Sequence, residues 1–130
     1  MELADGGLRS ELDRLGRQYK RLPLMVDWRE GVEVPESLEP LAVSTLNEAL
    51  RNAEKHAEPT EVKVTIDAPG GAFLMEVRND GLPPAASAVA GGGSRMGLRL
   101  ASFEALQRGG MLEYGREEDQ WRLRLVLPSS

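Results

Sequence analysis

A change of hydrophobic period near Pro59 leaves this chain few folds to adopt. Before it, Leu38, Leu41, Ala42, Leu46, Ala49, Leu50, Ala53 and Ala57 recur at the spacing of one helix face. After it, Val62, Val64 and Ile66, then Phe73, Met75 and Val77, alternate as strand residues do, with Ala-Pro-Gly-Gly at 68–71 as the turn of an antiparallel hairpin. A long one-sided helix running straight into a hairpin buries its stripe most economically on one face of a sheet. Ser37 is expected to cap that helix, whose first turn tolerates Pro40, and Pro59 to end it.

The flanks extend the same pattern. Leu8, Leu12, Leu15 and Tyr19 mark an amphipathic helix with a narrow apolar stripe, suited to docking on the core or to continuing into a neighbour. Leu22, Leu24, Val26 and Trp28 alternate as a half-buried strand ending before Gly31. Residues 81–95 are small, Gly- and Pro-rich and nearly without large apolar groups, which predicts a loop inside the domain. A helix at Leu98–Leu106 and strands at Met111–Tyr114 and Trp121–Leu127 follow. The expected fold is an α/β (α+β) two-layer sandwich, its mixed, mainly antiparallel sheet covered on one face by helices.

Composition removes several functions. A length of 130 residues suits one domain. The formal charge of −5 argues against a nucleic-acid-coating surface, so any phosphate binding must be local. The chain has no cysteine and one histidine, His56, which excludes thiolate zinc sites, cysteine nucleophiles and a three-histidine zinc centre. No apolar run approaches the length of a spanning helix and no signal sequence opens the chain, so a soluble chain without membrane contact of its own is expected; the lack of cysteine permits a cytoplasmic location, and the parent protein is free to carry a membrane anchor.

On the long helix, Glu48, Asn52 and Lys55 fall within a wedge of about 60° beside the apolar stripe. Such a flank is read either as a solvated face with a weak Glu48 ion pair to Lys55 or Arg51, or as a polar site. Val77-Arg78-Asn79-Asp80-Gly81 follows the second hairpin strand, and Gly93-Ser94-Arg95-Met96-Gly97-Leu98 opens the next helix. A glycine-rich turn into a helix N-terminus offers unpaired N–H groups and a favourable dipole to an anion, phosphate above all.

In this order and spacing the three segments resemble the GHKL ATPase family, and within it the catalytic domains of two-component sensor histidine kinases. Asn47 to Ala57 is similar to the N box of the branch with short lids, Asn79-Asp80-Gly81 to the first glycine box, Gly93 to Leu98 to the second, and Leu127-Pro128 to the closing strand. The resemblance spans about residues 22 to 128. It implies the Bergerat fold, with ATP bound beneath a lid at residues 82–95. Residues 1–21 would then be a separate helix leading to absent dimerisation helices, and residues 22–130 the ATP-binding catalytic domain.

The same resemblance implies that Asn52 binds Mg²⁺, that Glu48 orients a metal-bound water or acts as base, and that Lys55 reaches a phosphate. Asn79, Gly81, Gly93, Arg95, Gly97 and Leu98 would line the ATP site. His56 would be a packed or capping residue or a phosphate contact, and the phosphorylated histidine would lie on a partner segment. ATP and Mg²⁺ are the implied cofactors, and the dimerisation segment and a response regulator the implied partners. Departures are few: Asn79 stands where the family usually has Asp, Pro83 replaces a glycine, Arg95 stands where glycine is common, and Trp121 replaces a frequent Thr. Two alternatives remain, an anti-sigma-type serine kinase and a non-catalytic nucleotide-sensing module.

Overall fold

Helix α2 (Glu39–His56) begins where the chain leaves a 3-10 turn at Glu36–Leu38 and ends with the Ala57 amide on the Ala53 carbonyl. Ser37 is therefore inside the turn and does not cap the helix. The turn itself does that work: the amides of Leu38 and Glu39 donate to the carbonyls of Pro35 and Glu36, and Pro40 has no N–H to satisfy. The computed structural model describes residues 2–83 and 96–128.

Five strands form one sheet in the order β1-β2-β3-β5-β4. They are β1 (Leu24–Trp28), β2 (Val62–Asp67), β3 (Phe73–Asn79), β4 (Met111–Glu117) and β5 (Gln120–Leu127). Strand β1 runs parallel to β2, and every other pairing is antiparallel. The sheet is mixed and mainly antiparallel, as the periodicity predicts.

Val62, Val64, Ile66, Phe73, Met75, Val77, Leu123, Leu125 and Leu127 point to one side and are essentially inaccessible. They share a single core with Leu46, Ala49 and Leu50 of α2 and with Leu98 and Ala105 of α3 (Met96–Gln107). The other side carries Glu76, Arg78, Arg122 and Arg124, where three guanidiniums approach the Glu76 carboxylate at 3.5–3.9 Å. Such half-exposed pairs contribute little stability but keep that face wet, leaving the helices a single face to cover.

Helix α1 (Glu2–Gln18) breaks at Gly7 and then docks. Leu8, Leu12, Leu15 and Tyr19 are all buried in the same core as α2 and the sheet. The Glu39 carboxylate meets the Leu8 amide at 3.4 Å, a negative group at the start of the unbroken part of the helix. Its apolar stripe thus docks on the core, one of the two fates the sequence leaves open to it.

Candidate functional site

The C-terminal half of α2 forms one wall of a cleft of about 740 Å³. Asn52, Lys55 and His56 line it, and the end of β3 brings Asn79 and Gly81 opposite them. Two segments singled out in the sequence thus meet across a single opening. Their meeting follows from register: Val62, just after the helix, pairs with Asn79 at the end of β3, which carries that residue back to the helix C-terminus.

The junction is fastened by the Asn79-Asp80-Gly81 turn. The Glu58 amide donates to the Gly81 carbonyl at 3.0 Å, and Asp80 Oδ1 accepts from the amides of Thr60 and Glu61 at 2.7 and 3.2 Å. Asp80 Oδ2 also accepts a short hydrogen bond from the Thr60 hydroxyl. Gly81 has φ +75°, and a Cβ there would collide with the Glu58 carbonyl, so both conformation and space require glycine. Asp80 is consequently a structural clamp, a role its sequence context did not reveal because its partners lie before the hairpin.

Hydrogen bonds from Thr60 hold the Asp80 carboxyl below its ordinary range. A carboxylate whose pKa is lower in the folded chain stabilises it above the unfolded value, about 4, and that contribution disappears as pH falls through the folded value. Asp80→Asn is expected to lower the Tm by about 2–4 °C at pH 7, a modest effect because the group is well solvated. The difference should shrink as pH falls through the folded value; thermal melts of both proteins from pH 7 into the acid range test this.

Asn79 is 3% exposed, the most deeply buried amide of the cleft. Its Nδ2 donates to the Asp80 carbonyl at 2.9 Å, which fixes the orientation of the amide and commits one of its protons. Across the ladder it pairs with Trp121, which is 8% exposed, lines the cleft and lies 6.5 Å from the Tyr114 ring. Trp121 therefore both closes the core and floors the cleft.

Glu48 sits apart from this lining. One turn before Asn52, its carboxylate rests against Gly97 in the first turn of α3, and a Cβ at Gly97 would collide with it. Arg51 Nη1 lies 3.6 Å from Glu48 Oε2. Leu98 is fully buried, so its side chain belongs to the core and only its main chain is available at the helix start. Gly93 and Arg95, with most of the 82–95 segment, lie outside the described residues.

His56, the last residue of α2, is exposed at the cleft, which corrects the packed reading of this residue. Arg21 and Arg116 also line the opening, and Arg116 Nη1 donates to the Pro83 carbonyl at 2.8 Å. Sequence inspection missed both, since each is one arginine among many and reaches the site only through the fold. Arg21, Lys55 and Arg116 share the lining with Glu54 and Glu58, which leaves the opening with a small excess of positive charge in an acidic chain. Among the described residues no cluster of three His, Cys, Asp or Glu offers a ready-made metal cage, and no helix is long and apolar enough to cross a membrane.

Neither a family model nor a curated protein matches the sequence. Solved structures do match the fold. The chain is similar to the Acinetobacter baumannii histidine kinase AdeS, with a TM-score of 0.66 and 9% identity over 95% of this chain and 66% of that one. It is similar to the blue-light activated histidine kinase EL346 of Erythrobacter litoralis, with a TM-score of 0.72 and 20% identity over 95% of this chain and 42% of that one. The histidine kinase domain from that protein gives 0.69 and 19% over 95% and 61%. The fold is thus of the histidine kinase type, and the chain spans between 42% and 66% of the chains it resembles.

Proposed function

We propose that this chain is the GHKL-type, Bergerat-fold catalytic domain of a cytoplasmic sensor histidine kinase. It binds Mg-ATP and transfers the γ-phosphoryl group to a histidine on a separate dimerisation segment, upstream of a response regulator in two-component signalling. The observation that carries the reading is the convergence of Asn52, Lys55 and His56 with Asn79 and Gly81 around one cationic cleft of nucleotide size.

The residues present fit both implied groups. The deeply buried Asn79 amide, its orientation set by the Asp80 carbonyl, is a specific polar contact in a cleft floored by Trp121, as a purine base requires. Asn52 would supply a neutral oxygen to Mg²⁺, an ion that keeps waters and takes much of its ligation from phosphate. When bound, the ion neutralises charge on the phosphates. Lys55 and His56 also line the cleft and would contact the phosphates, and Gly97 leaves the Glu48 carboxylate its space at the start of α3. Glu48 would accept the proton or hold the water nearest the reacting phosphoryl group.

The acceptor must arrive from elsewhere, because His56 terminates the same helix that carries Asn52 and cannot lie in line behind a phosphate held there. The face proposed to receive it is the apolar row on α3, where Leu100, Phe103 and Leu106 are each 63% exposed and recur every three residues. The chain incubated with γ-labelled ATP is expected to bind nucleotide yet acquire no acid-labile label, and to label an added helical segment carrying the parent's acceptor histidine. Phe103→Asp should cut that transfer about tenfold at subsaturating segment while leaving ATP affinity unchanged. Stoichiometric acid-labile label on the chain alone would overturn the assignment, acid-stable label on a partner would indicate a serine kinase, and binding without any transfer a nucleotide sensor.

A further inference from the structure

The turn that follows the N-terminal helix reaches the cleft. Tyr19 and Leu22 are both buried at 7% exposure, and the Leu22 amide closes a turn on the Tyr19 carbonyl at 3.0 Å. Lys20 and Arg21 are exposed at the tip of that turn, and Arg21 lines the cleft with Lys55, His56 and Asn79. The turn is pinned on two further sides. The Tyr19 hydroxyl donates to Asn47 Oδ1 of α2 at 3.1 Å, and the Pro23 carbonyl accepts from the Val62 amide at 2.9 Å, which ties the turn to the sheet. Burial pushes the Tyr19 phenol up, which keeps its proton in place for the donation.

From this geometry we infer that Arg21 is a phosphate-binding residue of the nucleotide cleft, held there by the Tyr19–Asn47 hydrogen bond, so that the N-terminal helix is a working part of the site. The inference rests on the nucleotide-binding reading above. A flexible arginine on an open surface gives up much rotamer freedom to bind an anion, whereas one carried on a turn anchored at both ends gives up less backbone freedom. Guanidinium is also the side chain best matched to phosphate oxygens. The arrangement has a regulatory consequence: any upstream event that draws α1 off the core withdraws Arg21 and weakens the site, since Leu8, Leu12, Leu15 and Tyr19 dock as one face. Tyr19 is a positioning residue here and touches no ligand.

Calorimetric titration of the full chain with ATP, ADP and adenosine separates the alternatives. Arg21→Ala is expected to weaken ATP about 5- to 20-fold and ADP less, with adenosine unchanged within about twofold, and Arg21→Lys to recover part of the loss. Tyr19→Phe should weaken ATP about 2- to 5-fold in the wild-type background and have no further effect in Arg21→Ala, because the hydrogen bond acts through the arginine. Equal losses for ATP and adenosine would overturn the phosphate assignment. Unchanged ATP affinity in Arg21→Ala, in a chain whose wild type binds ATP, would overturn the inference and leave the cleft reading intact. Absence of ATP binding by the wild type would remove both together. Additive effects of Tyr19→Phe and Arg21→Ala would reject the role of the Tyr19–Asn47 hydrogen bond in holding Arg21.

Discussion

Asn52→Ala is expected to erase the Mg²⁺-dependent part of ATP affinity and to lower phosphoryl transfer to a supplied acceptor segment by about 100-fold or more. The side chain is half-buried on the polar flank of α2, beside but not inside the stripe formed by Ala49, Leu50 and Ala53. Truncation therefore leaves no core cavity, and the melting temperature should stay within a few degrees of wild type. The loss would be electrostatic in origin. Without the Asn52 oxygen, a metal ion would have no ligand from this helix to fix its place, so Mg²⁺ would add nothing to the chain's hold on ATP and the charge it brings would be poorly positioned for transfer. Titrations with ATP in Mg²⁺ and in excess chelator test the claim: wild type should show a clear difference between the two and Asn52→Ala none. A Mg²⁺ dependence equal to that of wild type would remove Asn52 from the metal site.

Legibility in the sequence followed locality. The buried face of α2 and the alternation of β2, β3 and β5 were readable because each is a local period, and every predicted strand residue from Val62 to Val77 sits in the core. The start of α2 was not, because the 3-10 turn after Pro35 satisfies the first amides and leaves Ser37 nothing to cap. Thr45, buried on the same helix, was hidden by its polarity. In the site, Asn52 and Asn79 were readable from motif order, whereas their meeting depends on the Val62–Asn79 register. Arg21 and Arg116 were invisible for the same reason: each comes to the cleft by tertiary packing, from the turn after α1 and from an edge strand. Glu48 was read beside Asn52, yet the fold turns its carboxylate toward Gly97.

That last placement leads to the second large effect. Glu48→Gln is expected to leave ATP binding intact and to depress transfer about 100-fold, the usual contribution of a positioned general base, because an amide of the same shape cannot take up a proton. Gly97→Ala should reach a similar deficit by a different route. The added Cβ would occupy the space of the Glu48 carboxylate, and the carboxylate, about one quarter exposed, can yield only by swinging toward Arg51 and solvent. Because Gly97 lies in the first turn of α3 and alanine is a better helix former, the substitution should cost little stability and can even raise it. Equilibrium melts together with single-turnover transfer to the acceptor segment separate the cases. If both variants melt like wild type and both lose transfer, and if the double variant is no worse than Glu48→Gln alone, the two residues act as one unit. Transfer at the wild-type rate in Glu48→Gln would assign the carboxylate to the Arg51 ion pair and leave the space over Gly97 as a matter of packing. A deficit in Gly97→Ala that persists undiminished in the Glu48→Gln background would instead place the damage in the start of α3 itself, where the main-chain amides of the second glycine segment are expected to meet phosphate.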